Sequence, residues 1–444
     1  MHYRGSRNEP ISINSAEPSL TAEKHPVAPA SKQVMFYSLT RATLWNLAGY
    51  LYLIVASLVA TPILIAHLGL ALFGQYGLII ATLALVSSLD LGLPQAVTRA
   101  LARNHQFSPR RQTIWATSSL LFVATGLLAG LASAFAAYYL HVSYSTIPVI
   151  FAIAVMNNLL AHYLTLPHAQ GHFGYFNIKT FIVGTGNTLL AAFLAGKGQG
   201  IAAILSAQLL CYLITLLPLV SFSLKYFPRP WQGRPSRNIA SSLISFGLKN
   251  QAGKLVGQLQ SQYGKYLLAA LSPLALSAYI VAQGLVQKLA GGITQLSSAL
   301  YPASSRATGR FPLRRLYYRL QLALFLLALL GVTLYSLVGY SFLSWWLHAP
   351  ELVTLVDSVL KILVWYFAIL ALSPLASTIL DSHGRPELTS LFAALTTILE
   401  ITLALYLFPR YGLYAPAYAA LLAILVMTPP LLYVTARVLR HSTS

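Results

Sequence analysis

Acidic residues are scarce in this chain. Nine Asp and Glu stand against 29 Lys and Arg in 444 residues, and charged residues make up only 9%. Soluble domains carry about 25% charge, so a water-solvated globule is excluded. Cysteine occurs once, at Cys211. No disulfide can form within the chain, and a lone thiol in an apolar span packs as a small hydrophobe. No His/Cys cluster has metal-ligand spacing, and there is neither a phosphate-cradling P-loop nor a nucleophile elbow. The missing nucleotide motif argues against direct ATP hydrolysis, and no metal or resident cofactor is expected.

What the chain has is apolar length. Hydrophobic residues reach 57%, and a bilayer core needs about 20 apolar residues per helix. Spans are expected near 44–66, 75–93, 114–138, 147–167, 180–196, 201–223, 243–268, 276–302, 320–343, 354–376, 389–408 and 413–434. The chain therefore reads as an all-α polytopic membrane protein of about 12 transmembrane helices. With the N-terminus inside, 22 of the 29 basic residues fall in inner segments, against Lys197 and Arg410 in outer loops. That asymmetry is the positive-inside pattern. It places both termini in the cytoplasm and accounts for the net charge of +20 without a nucleic-acid partner. Residues 1–35 are polar and proline-bearing and lack an apolar run, so they read as a disordered cytoplasmic tail rather than a cleavable signal.

Three loop signatures recur. Pro94-Gln-Ala-Val-Thr-Arg99 is echoed by Pro302-Ala-Ser-Ser-Arg306, Gly171-His-Phe-Gly174 by His383-Gly384-Arg-Pro386, and Gly200-Ile-Ala-Ala203 by Gly412-Leu-Tyr-Ala415. The offsets are 208, 213 and 212 residues. A fixed period signals an internal repeat. Here it divides the chain into six-helix bundles at 36–224 and 243–436, joined by a cytoplasmic linker at 225–242, with a short tail at 437–444. Parallel repeats of this kind place a substrate site at their interface near the membrane midplane.

The seventh and eighth spans are unusually polar. Lys249, Lys254, Lys265 and Lys288 lie there, with seven glutamines between Gln251 and Gln295. A lysine at the bilayer centre costs roughly 2.5–3.5 kcal/mol, and such groups mark cavities or transport routes. On a helical wheel Asn250, Lys254, Gln258, Ser261 and Lys265 fall within about 80° of one another, while Lys249 points away and snorkels. Gln283, Gln287, Thr294 and Ser298 make a similar stripe on span eight, with Lys288 and Gln295 on its shoulder. Lysine suits phosphate oxygens, and amides suit sugar hydroxyls. Spans one and two hold no lysine, so the cavity's positive charge is expected to sit mainly in the C-terminal half.

Among the acids, Asp90 reads as a cap or a partner of loop arginines, and Asp357 pairs with Lys361 at i,i+4. Glu400 lies about 18 Å into span eleven at 1.5 Å per residue, with no basic neighbour in sequence. It is a candidate H+ or Na+ coupling site, or the counter-charge to a lysine across the cavity. Asn157, Asn158 and His162 read as interhelical glue. Trp345 and Trp346 read as an interfacial belt.

The segment Ser88-Leu-Asp90-Leu-Gly92-Leu-Pro94-Gln-Ala-Val-Thr98-Arg99 resembles the polysaccharide transporters of the multidrug/oligosaccharidyl-lipid/polysaccharide exporter superfamily. The Gly-x-x-Ala openings of spans six and twelve fit the same resemblance, which covers roughly residues 36–440. It implies an architectural role for Asp90, Gly92 and Arg99, and two bundles around a cationic cavity working by alternating access. It also implies a cargo of sugar or oligosaccharide on undecaprenyl pyrophosphate, flipped across the cytoplasmic (inner) membrane for surface polysaccharide such as O-antigen, in company with glycan polymerase or assembly machinery. The residues expected to hold the headgroup are Lys254, Lys288, Lys265, Gln258, Gln287 and Asn250. A cation-coupled drug exporter of the same superfamily is the alternative, though such proteins need cavity carboxylates. A membrane-embedded polymerase or ligase would need paired carboxylates or a large outer loop, and the sequence has neither. No enzymatic activity is expected.

Overall fold

A computed structural model describes residues 32–104, 108–172, 174–227, 233–298 and 310–441. Residues 1–31 of the expected tail and the repeat signature at 302–309 lie outside them. Contacts divide the chain into Met1–Ala42 and Thr43–Ser444. The described part of the first unit is the opening of helix α1 from Lys32; all that follows concerns the second.

Every regular element among the described residues is helical. In order they are α1 (Lys32–Ser87), α2 (Leu93–Arg103), α3 (Pro109–Tyr139), α4 (Ile147–Ala169), α5 (Gly174–Thr185), α6 (Ala191–Gly196), α7 (Ile201–Tyr226), α8 (Arg237–Ala269) and α9 (Pro273–Ser298). Then come α10 (Arg310–Leu347), α11 (Pro350–Leu370), α12 (Ser373–Ser382), α13 (Pro386–Tyr411) and α14 (Ala415–His441). Within the described residues each expected span falls on these helices, apart from short turns such as that at 88–92 near the end of the second; residues 299–302 of the eighth lie outside them. Spans one and two share α1, which breaks only at Gly69, where φ is 74°. Span five is α5 and α6 joined through a π turn at Gly186–Leu190, and span ten is α11 with α12. Eight segments are long and apolar enough to cross a bilayer, and Ala48–Ser87 and Pro386–Leu439 each hold two spans. Helices α8 and α9 are not among them, because their lysines and glutamines lower the hydropathy.

One expected loop is a helix. Residues 94–103 form most of α2, started by Pro94 in its first turn, where a missing N–H costs nothing. Leu93, Ala96, Val97 and Leu101 bury one face at i, i+3, i+4 and i+8.

Between lipid-exposed helices, lipid tails are as apolar as leucine, so close packing and hydrogen bonds decide which helices associate. On α3, Gly126, Ala129, Gly130, Ser133 and Ala137 make a buried seam against α4. Gly126 meets Asn158 and Gly130 meets Phe151. Leu128, Leu131 and Phe135 on the opposite face are more than half exposed and suit acyl chains. The pairings repeat along the chain: α3 on α4, α4 on α7 and α5 on α7 early, then α10 on α11, α11 on α14 and α13 on α14.

Polar contacts fix particular crossings. Asn157 donates to Ser87 Oγ at 2.8 Å, linking α4 to α1. His162 pairs with Ser119 at 3.0 Å, linking α4 to α3, while Asn158 bonds within its own helix. Lys361 meets Asp357 at 2.7 Å, and Tyr335 donates to the same carboxylate at 2.8 Å. Trp345 is 70% exposed, as a belt residue should be. Trp346 is not a belt residue. It is buried and donates through Nε1 to the Leu58 carbonyl at 2.8 Å, tying α10 to α1.

Candidate functional site

The turn between α1 and α2 is built on two left-handed residues, Leu91 (φ 53°) and Gly92 (φ 65°). The Gly92 N–H donates to Asp90 Oδ1 at 3.0 Å and closes the turn. Glycine is required here for a second reason. A Cβ on Gly92 would run into the Gly247 carbonyl of α8, and one on Gly247 into the Leu91 carbonyl. This bare backbone contact brings the N-terminal turn directly onto the polar α8. We call this end of the helices the basic end, since Arg99, Arg103, Arg110 and Arg111 cluster around it in sequence.

Beside the contact lies a cavity of about 710 Å³ between the end of α1, α2, α4, α5 and α8. Its chemistry comes from Asp90, Arg99, Asn157, Lys179, Lys254 and Gln258. Lys254 Nζ pairs with Asp90 Oδ2 at 2.5 Å, the lysine side chain 37% exposed and the aspartate 7%. A pair this open is worth about 0–1 kcal/mol net. Asp90 therefore holds Lys254 weakly. The Arg99 guanidinium sits 4.2 Å from the centre of the Phe246 ring, again joining α2 to α8. Lys179 reaches the cavity from α5 and has no ion pair or hydrogen bond among the described residues. It lies close enough to Lys254 for the two ammonium groups to repel. Gln258 has a buried, unpartnered Oε1.

The cavity thus holds three cations against one carboxylate, and two expectations change. Asp90 pairs with Lys254 across the chain rather than with a loop arginine. The positive charge is shared between halves, because α5 begins at Gly174 and carries Lys179 in its second turn. The sequence had assigned Lys179 to the loop before a span drawn from residue 180. Recognising Gly174 as a helix start was the available signal.

Of the expected headgroup residues, the cavity brings together Lys254 and Gln258. Lys265 and Lys288 lie elsewhere, close enough to repel each other. Lys265 donates to Gln262 Oε1 at 2.8 Å, and Lys288 donates to the Gly284 carbonyl at 3.3 Å. Tyr50 of α1 donates to the Lys288 carbonyl at 2.5 Å, so this pair too abuts the N-terminal half. Gln287 is exposed. The Asn250 side chain lies outside the described residues. Glu400 is 3% exposed and accepts from Gln260 Nε2 at 2.7 Å. Tyr263 also reaches it, so an amide and a phenol meet this carboxylate where a lysine had been one expectation.

Long membrane-spanning helices close on a charged cavity lined from both the earlier and the later part of the chain. The backbone resembles an inward-facing multidrug resistance MATE family transporter of the MOP superfamily at a TM-score of 0.63 and 16% identity, covering 91% of this chain and 96% of that one. An outward-facing structure of such a transporter aligns at 0.62 and 15%, covering 90% and 95%. A Vibrio cholerae MATE transporter aligns at 0.59 and 15%, covering 92% and 98%. At these identities the likeness shows the fold alone: the multi-span helical fold of the MATE transporters. The chain belongs to the polysaccharide biosynthesis protein family, which it matches over residues 39–308. A MatE match covers residues 261–406. No curated protein matches it.

Proposed function

We propose that this polysaccharide-biosynthesis transporter flips an undecaprenyl-pyrophosphate-linked sugar or oligosaccharide from the inner to the outer leaflet of the cytoplasmic membrane by alternating access. The observation that carries the reading is the cavity in which Lys179 and Lys254 approach from opposite halves of the chain. A pyrophosphate diester needs cations where it crosses, and a cation held by each half can be drawn together or apart as the halves move. Asn157 and Gln258 offer donors and acceptors for sugar hydroxyls. The lipid tail stays in the bilayer.

Lys265 follows Lys254 by 11 residues on α8, about 16 Å along the axis at 1.5 Å per residue. We assign Lys265 and Lys288, with Gln287 beside Lys288 on α9, to a second station nearer the outer leaflet, and Asn250, four residues before Lys254 on α8, to the loading side. The arginine-rich end faces the cytoplasm on the positive-inside pattern, which puts the 710 Å³ cavity at the loading side. Glycan polymerase or assembly machinery would receive the product.

The drug-exporter alternative has the fold in its favour. Against it, Asp90 is the cavity's carboxylate and is already neutralised by Lys254, leaving a net positive site that repels cationic drugs. Proteoliposomes carrying a fluorescent undecaprenyl-pyrophosphate disaccharide decide between them. Translocation of the lipid without ethidium export is expected, and ethidium export without lipid translocation overturns the reading.

Glu400 is proposed as the H+ or Na+ coupling group. Glu400→Gln, which keeps an acceptor for Gln260, is expected to abolish the response of transport to an imposed ion gradient while leaving headgroup binding intact. A gradient response equal to wild type would make Glu400 purely structural.

A further inference from the structure

Asp90 has two oxygens with different partners. Oδ1 accepts from the Gly92 N–H within the turn, while Oδ2 takes Lys254 of α8. The first bond is local and shapes the backbone. The second crosses 164 residues of sequence and spends a cavity cation on an internal anion, with Lys179 left unmatched beside it.

We propose that Asp90 is a resident stand-in for the headgroup anion. It occupies Lys254 while the cavity is empty, and an incoming phosphate, caught first by Lys179, displaces it. This inference rests on the anionic-headgroup reading above and adds a competitor and an order of binding to it. Displacement is feasible because Lys254 is more than a third exposed, where ion pairs are weak, whereas a diphosphate brings several charge-assisted acceptors to both lysines at once. The consequence is mechanical as well as electrostatic. The pair ties the α1–α2 turn to α8 alongside the Gly92–Gly247 contact and the Arg99–Phe246 contact. Its release frees one of three links at the loading end only when an anion has arrived. A neutral lipid, lacking a group to take Lys254, leaves the link closed.

The test uses the full chain in lipid nanodiscs, with farnesyl pyrophosphate as probe and farnesol as neutral control. Asp90→Asn keeps an Oδ1 acceptor for Gly92 and removes the competing charge. It is expected to tighten farnesyl pyrophosphate by about two- to fivefold, the strength of a partly exposed pair. The same change in a Lys254→Gln background is expected to give a smaller gain, because there is then no pair to break and only repulsion of the probe is relieved. Weaker or unchanged binding in Asp90→Asn overturns the proposal. Unpolarised wild-type protein offers a second measurement that needs no variant. The chain has three aspartates, Asp90, Asp357 and Asp381, so 13C-carboxyl NMR of aspartate-labelled protein can follow each one. The Asp90 resonance is expected to shift with farnesyl pyrophosphate and not with farnesol, and a stationary resonance at saturating probe overturns the proposal. If wild type binds no farnesyl pyrophosphate at all, the anionic-headgroup reading itself falls. Binding without any Asp90 response sinks the stand-in alone.

Discussion

Lys179→Ala is expected to stop glycan export while leaving the protein in the membrane at its normal level. Lys179 is a cavity cation without an ion pair or hydrogen bond among the described residues, so its removal breaks no internal bond and leaves no orphaned partner. What it removes is a charge-assisted contact to phosphate. Such a bond is worth about 1.5–3 kcal/mol, or roughly 10- to 150-fold in affinity at 1.4 kcal/mol per decade. Lys254→Ala should also impair export, and for two reasons: a cation is lost and the Asp90 carboxylate is left unpaired in the cavity, where it repels the headgroup. Lys179→Arg, which keeps the charge, should retain a measurable share of export. The measurement is lipid-linked glycan accumulating on the cytoplasmic face, set against the amount of protein in the membrane. Normal export by Lys179→Ala would remove the cavity from the transport route. For Lys288→Ala, which touches the proposed second station, blocked export with unimpaired farnesyl pyrophosphate binding is the expected pattern.

The second large effect is structural. Gly247→Val is expected to lower both the thermal midpoint and export, because its side chain meets the backbone carbonyl of Leu91 and the adjoining Gly92. A backbone obstacle cannot rotate aside as a side-chain terminus can. Overpacking a tight contact costs about 1–3 kcal/mol even where neighbours can adjust, and here relief requires moving the whole α1–α2 turn off α8. Gly92→Ala adds backbone strain to the same collision, since φ at this residue is 65°. Gly257→Ala is the matched control on the same helix: a Cβ there meets nothing within 4 Å, and a small gain in helix propensity is expected. Thermal unfolding in detergent measures all three. Equal midpoints for Gly247→Val and Gly257→Ala would show that the turn does not press on α8.

Much of this architecture was legible because hydropathy and charge act locally. A run of about 20 apolar residues forms a helix in lipid whatever its neighbours, since each backbone group must be satisfied within the segment. That is why, among the described residues, every one of the twelve expected spans falls on a helix. The errors lie at the ends of helices, where polar residues continue a helix that hydropathy no longer signals. Residues 94–103 continue as α2, and α5 starts at Gly174, the shift that hid Lys179. The Asp-Leu-Gly turn was legible as a motif, but its reason was not. The Gly92–Gly247 contact joins residues 155 positions apart, and no periodicity reports such a pairing.

The sequence by itself determined that the chain spans a membrane many times, that its basic residues concentrate in alternate segments between spans, and that α8 and α9 carry costly polar groups needing a reason to be there. These follow from transfer free energies, which depend on composition and spacing alone. Tertiary structure decided which of those groups share a space. It separated Lys254 from Lys265 and Lys288, brought Lys179 in from the other half, gave Asp90 to Lys254, and matched Glu400 with Gln260. Hydrogen bonds need contact at about 3 Å, and charges in a hydrated site are largely screened beyond about 8–10 Å. Whether a charge is free or spent therefore depends on which residues the helix packing places beside it.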